Sequence, residues 1–305
     1  MSSVKSRLNT LFENAERVRI DAKSRIVLMS DCHRGNAGNS DNFARNQNTY
    51  FHALKRYWER GFTYIELGDG DELWENRNPR EIKSMYAGIF WLLARFHAEG
   101  RLKMLHGNHD KVKESPAYMA RHYSSFYDER LKKTVPLFPG LTAPESLVLR
   151  HQATGGEILL IHGNQGDLLS DRLWKLGRFL VRYLWKPLEL IGVNDPTLPA
   201  KNYKRREKME KSFTGWASDE GRMLIAGHTH RPVFPAVGQP PYFNDGSCVH
   251  PRCITAIEIE DDHIALVKWH TDVRDDANLF IAREVLAGPA SVAEWLSSLD
   301  GTPCM

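Results

Sequence analysis

The chain has 305 residues, 42% of them hydrophobic and 26% charged, with a net charge of only +3; this is enough apolar material for a large core and too little charge bias for a protein that holds polyanions over its whole surface. The four cysteines, Cys32, Cys248, Cys253 and Cys304, form no Cys-x-x-Cys pair and read as free thiols of a reducing compartment. With no apolar signal core near Met1 and no stretch long enough to span a bilayer, a cytoplasmic enzyme is the expectation.

Residues 4 to 18 set Val4, Leu8, Leu11, Phe12, Ala15 and Val18 at helical spacing, which predicts a short amphipathic helix over the first 24 residues, packed on a main domain of residues 25–305. Strands near 25–30, 62–67 and 101–106 then alternate with helices around 42–60 and 81–97, the rhythm of a sheet covered by helices. From about 134 the pattern changes to short runs at 145–150, 157–161, 222–226, 253–259 and 263–270, which suggests a second, more antiparallel sheet packed on the first. Ser291-x-x-Glu294 ahead of Trp295-Leu296 is a capping-box signature for a terminal helix. The fold class expected is therefore α/β (α+β), two packed mixed sheets flanked by helices. Residues 165–220 interrupt the rhythm and are expected to form a helical cap beside or over the site.

Five of the apolar runs end in oxygen- or nitrogen-bearing side chains: Asp31-Cys32-His33, Gly68-Asp69, Gly107-Asn108-His109-Asp110, His162-Gly163 and Gly227-His228-Thr229-His230. Strand ends are where layered α/β sheets gather their chemistry. Residues two apart on a strand share a side, so Asp31 and His33, and His228 and His230, are expected to converge in pairs. Imidazole, carboxylate and amide donors without thiolate suit Mn, Fe, Zn, Co or Mg, with Mn the expected ion. His97, His122 and His151 carry no motif and read as surface or satisfied core residues; His106 reads as a neighbour of the site.

The order Asp-x-His, Gly-Asp, Gly-Asn-His-Asp, His-Gly, Gly-His-x-His resembles the calcineurin-like metallophosphoesterase superfamily. The resemblance implies a dinuclear hydrolase that cleaves a phosphodiester or phosphomonoester with metal-activated hydroxide. It assigns Asp31, His33, Asp69 and His230 to one metal, Asn108, His162 and His228 to the second, and Asp69 to the bridge. It makes His109 the general acid or phosphoryl-binding group, oriented by Glu72; Arg34, next to His33, is a candidate phosphate contact. Gly68-Asp69-Gly70-Asp71-Glu72-Leu73-Trp74 and Gly227-His228-Thr229-His230-Arg231-Pro232 are also similar to motifs of the UDP-diacylglucosamine pyrophosphatases, which insert a helical cap at the same place. Those enzymes carry Arg where this chain has His109 and Asp where it has Asn164. An alkoxide leaving group benefits from an acid more than a phosphate does, so His109 tilts the expectation towards a different substrate.

Within the cap, Arg172, Lys175, Arg178, Arg182 and Lys186 fall within about a third of a helical circumference. Arg178 and Arg182 are the candidate contacts for a phosphorylated small-molecule or lipid-like substrate. Peripheral contact with an anionic membrane is the further role weighed for this face, and nucleic acid is not expected as a partner. A non-catalytic scaffold on the same fold, as in the retromer subunit, is the alternative of another class; retention of His109 and every ligand argues against it.

Overall fold

The computed structural model describes residues 2–38, 40–129, 131–166 and 203–299. The first half of the chain forms α1 (Ser2–Asn14), β1 (Glu16–Ile20), β2 (Ile26–Met29), α2 (Gln47–Glu59), β3 (Thr63–Leu67), α3 (Pro79–Met85), α4 (Ala87–Ala98) and β4 (Leu102–Leu105). Next come α5 (Pro116–Tyr123), the hairpin β5 (Ser125–Asp128) and β6 (Lys133–Pro136), then β7 (Ser146–His151) and β8 (Glu157–Ile161). The remainder is α6 (Tyr203–Glu220), β9 (Met223–Ala226), β10 (Tyr242–Asn244), β11 (Cys253–Glu260), β12 (His263–Val273), β13 (Leu279–Ser291) and α7 (Val292–Leu299).

Two mixed sheets face each other. One has the order β13-β12-β11-β2-β3-β4, and the other β1-β7-β8-β9-β10. The three site-bearing strands β2, β3 and β4 run parallel, as do β8, β9 and β10. Period-2 alternation then divides each strand between two cores. Leu28, Ile65, Leu67 and Leu105 meet Leu147, Leu149, Leu160 and Ile225 between the sheets. Val27, Met29, Tyr64 and Met104 turn outward against Leu54 and Tyr57 of α2 and Phe90 and Leu93 of α4. On the far side Val148, Leu159, Ile161 and Leu224 pack on Leu8 and Phe12 of α1 and on Met209, Phe213 and Trp216 of α6. The strands are apolar on both faces because helices cover both.

Three expectations need correction. β11 and β12 do not build the second sheet; β11 pairs antiparallel with β2 and extends the first. The expected helix over 4–18 ends at Asn14, because Val18 and Ile20 alternate on β1, which pairs parallel with β7. Residues 203–220, expected as cap, form α6 on the outer face of the second sheet, where the Trp216 indole donates to Asn9 Oδ1 at 2.6 Å. The apolar stripe Met209, Phe213, Trp216 and Ala217 was hidden by the charged residues around it. The predicted cap on α7 is present: Glu294 N donates to Ser291 Oγ at 3.1 Å.

Candidate metal centre

The parallel strands deliver their loops to one edge, and the loops lock together by main-chain bonds. Asp31 N donates to Gly68 O at 3.1 Å, His33 N to Asp69 O at 2.8 Å, and Arg34 N to Gly70 O at 3.0 Å. Gly227 N donates to His162 O at 2.8 Å. Asp31, His33, Asp69, His228 and His230 all adopt left-handed backbone, with φ of 51°, 46°, 51°, 66° and 53°. Strand alternation is therefore not what makes Asp31 and His33 converge, because both lie beyond the end of β2. Their pairing comes from two left-handed turns held by the neighbouring loop. Such a conformation costs roughly 1–3 kcal/mol at a non-glycine residue and persists only where the surroundings impose it. Gly68, at φ 94°, passes so close to the next loop that a Cβ would lie 2.7 Å from Gly107 N; a Cβ on Gly107 would lie 2.2 Å from Asp69 Oδ1.

The donor atoms form three overlapping groups: Asp31, His33 and His230; His33, Asp69 and His109; and Asp69, His162 and His228. His230 Nε2 stands 3.1 Å from Asp31 Oδ1, and His33 Nε2 lies 3.6 Å from the same oxygen. Asp69 Oδ2 is 3.1 Å from His162 Nε2 and 3.8 Å from His33 Nε2. His228 Nδ1 faces His162 Nε2 at 3.2 Å.

Hydrogen bonds fix which nitrogens face the centre. His162 Nδ1 donates to Leu67 O at 2.9 Å, so it is Nε2 that points at a carboxylate and another imidazole. His33 Nδ1 donates to Glu72 Oε2 at 3.0 Å and likewise leaves Nε2 for the centre. Asn108 Oδ1, also buried, makes no hydrogen bond, and Asp31 Oδ1 faces the imidazoles of His230 and His33. Lone pairs gathered this way in a buried place fit divalent cations.

The electrostatics lean the same way. Burial alone would raise the Asp31 carboxyl, but His230 and His162 hold it well below its ordinary range. Asp69 is held low against burial by His162 and His109. Burial would lower His162, yet Asp69 and Asp31 push it up to about 9. A positive charge is called for where these groups meet.

Glu72 does more than expected. Its Oε1 lies 2.9 Å and its Oε2 2.7 Å from His109 Nδ1, while Oε2 also receives His33. One carboxylate thus orients an imidazole of the donor set and the candidate acid together. Trp74 completes the support: its ring stacks on His109 with centroids 4.2 Å apart and planes 20° from parallel. Burial would lower His109, but Glu72 and Asp69 raise it.

Arg34 is a correction. It is fully buried and spent on carboxylates inside the protein, its Nε 2.7 Å from Asp71 Oδ1 and its Nη1 2.8 Å from Glu66 Oε2. Lys113 joins the same network, 2.8 Å from Asp71 and 2.9 Å from Asp110. Asp110 in turn accepts from Gly107 N at 2.8 Å and Gly70 N at 3.1 Å, so these buried ions hold the ligand loops in register. Sequence reasoning missed Lys113 and the stacking of Trp74. The three-residue spacing from Asp110 was the only signal for the first, and the motif position for the second. Arg231 chelates Glu210 of α6 at 2.7 and 3.1 Å, tying the Gly-His-x-His loop to that helix. Arg178 and Arg182 lie outside the described residues.

The calcineurin-like phosphoesterase family model matches residues 24–232, and the chain belongs to that family. No curated protein matches the sequence. Among solved structures, Vps29 of Chaetomium thermophilum is 11% identical over 87% of this chain and 96% of its own, with a TM-score of 0.38. GAP50 of Plasmodium, titled the anchor in the inner membrane complex, is 9% identical over 92% of this chain and 95% of its own, with a TM-score of 0.42. A candidate 5'-nucleotidase from Staphylococcus aureus is 13% identical over 91% of this chain and 58% of its own, with a TM-score of 0.35. The family and the donor groups together indicate a metal-dependent phosphoesterase. Among the described residues, no helix is long and apolar enough to cross a membrane.

Proposed function

We propose that this chain is a two-metal hydrolase of a phosphodiester or phosphomonoester. The supporting observation is Asp69, whose Oδ2 stands 3.1 Å from His162 Nε2 and 3.8 Å from His33 Nε2, so that one carboxylate belongs to both groups of donors. Asp31, His33 and His230 would hold one ion with Asp69; Asn108, His162 and His228 would hold the other. When bound, such a pair activates the attacking water and clamps the phosphoryl group for in-line displacement. The remaining work falls to the chain's own side chains. Glu72 keeps a proton on His109 Nδ1, so a second proton on Nε2 is the one offered to the leaving oxygen. Trp74 holds the plane of that ring. An alkoxide leaving group gains most from this arrangement.

A pyrophosphatase acting on a UDP-sugar or lipid-linked nucleotide is the second reading, favoured by Glu72 and Trp74 at their motif spacing in one assembly with residue 109. Metal analysis at saturating Mn should find two ions per chain, with activity lost to chelator and restored by Mn. One ion or none in folded protein would end the two-metal reading. Side-by-side assays of bis-p-nitrophenyl phosphate, p-nitrophenyl phosphate and a UDP-sugar decide between the substrates; turnover of the UDP-sugar alone would install the second reading.

A further inference from the structure

A second concentration of charge shares no residue with the candidate metal centre. Arg80 and Lys83 of α3, Arg121 and His122 at the end of α5, and Glu129 and Thr134 of the β5–β6 hairpin line a cavity of about 430 Å³. Lys83 is its unusual member. It is only 6% exposed, and its ammonium donates to two main-chain carbonyls, those of His122 and, at 3.1 Å, Ser125. It makes no ion pair among the described residues. The carboxylate that acts on it from nearby, Asp71, is already engaged by Arg34 and Lys113.

A buried charge is normally paired, because desolvating it without a partner is costly. Two carbonyls satisfy two of the three ammonium donors, and the ammonium also stands 5.5 Å from the centre of the Tyr123 ring, so the cavity that Lys83 lines meets a cation that no carboxylate neutralises directly among the described residues. Arg80 and Arg121, both exposed, line the same cavity, also without an ion pair among the described residues. The crowding registers on His122: burial, then Arg121, Lys83 and Arg80, push its imidazole below the ordinary value. Three cations against the single carboxylate of Glu129 leave the cavity positive.

We propose that this cavity binds a phosphorylated metabolite, with its phosphate held by Lys83, Arg80 and Arg121. Guanidinium forks match phosphate oxygens in pairs, and the ammonium adds a point charge behind them. The volume exceeds what inorganic phosphate needs and falls in the range, about 300–1,000 Å³, of pockets that enclose small organic ligands.

Calorimetric titration of the chelated protein with inorganic phosphate, pyrophosphate and AMP reads this cavity without the metal centre's own affinity for phosphate. One molecule should bind per chain, more weakly as salt rises. Arg80→Glu with Arg121→Glu should weaken binding at least about tenfold while the metal-loaded variant hydrolyses p-nitrophenyl phosphate at the parent rate. Both arginines are exposed, so the exchange leaves the fold intact; Lys83→Met should give a second, independent loss. AMP binding tighter than inorganic phosphate supports an organic ligand, and equal affinities overturn that part of the proposal. No saturable binding of any probe, or binding that survives the charge reversal, overturns it entirely.

Discussion

Glu72 sets one carboxylate against two imidazoles, and that changes what its removal should do. His109→Asn deletes the proposed proton donor but no member of the proposed ligand set. It should cost about 10²–10⁴-fold with an alkyl phosphoester, far less with the p-nitrophenyl ester, at unchanged metal content. Equal losses on the two esters would make His109 a phosphoryl-binding group instead. Glu72→Gln loosens His33 as well, whose Nδ1 it receives at 3.0 Å, so metal affinity should fall by about 10–100-fold alongside the loss of acid catalysis. Equilibrium metal titration separates the two variants, and an unaltered affinity in Glu72→Gln would sink the shared role. Arg34 makes a different demand. Arg34→Met leaves Asp71 and Glu66 charged and short of a buried partner, which typically costs about 3–5 kcal/mol. Denaturant unfolding should show that loss; a variant as stable as the parent would mean the network contributes nothing net.

At the scale of elements, the ligand loops are held by contacts that only glycine permits. Gly107→Ala would place a methyl 2.2 Å from Asp69 Oδ1, so metal binding should collapse while the far-ultraviolet circular dichroism of the sheets stays the same. Full metal occupancy in Gly107→Ala would show that the loop gives way easily. Much of this architecture was legible beforehand, because β2, β3, β4, β8 and β9 are short, mainly apolar runs, each followed within three residues by a ligand-type residue. The partition of strands between sheets was not. β11 follows β10 in the chain but pairs with β2, a choice made by packing between distant segments and not by local pattern. α6 was misread because its apolar stripe is only four residues in a charged helix. Arg34 was misread because neighbouring a ligand in sequence says nothing about direction, and a left-handed turn at His33 sends the next side chain inward.

For the molecule as a whole, the buried ions beneath the site set a pH limit. Burial alone would raise Asp71, but Arg34 and Lys113 hold it well below the usual carboxylate range in the folded state. A depressed carboxylate contributes stability that is fully present above its unfolded value and is lost as pH falls, here below about pH 4. The unfolded chain binds the extra proton there, so stability should climb with pH through that window, and Asp71→Asn should flatten the climb. Unfolding curves of the two proteins at a series of acid pH values measure the difference; parallel slopes would contradict it. The two-sheet plan has a mechanical consequence as well. Asp31, His33, Asp69 and Asn108 ride on one sheet, whereas His162, His228 and His230 ride on the other. Ions held by both sets would act as a clasp across the seam between the halves. Neither half owns a complete set, so tight uptake of metal must wait until the sheets have docked, and the rate of metal capture during refolding becomes a clock for that docking.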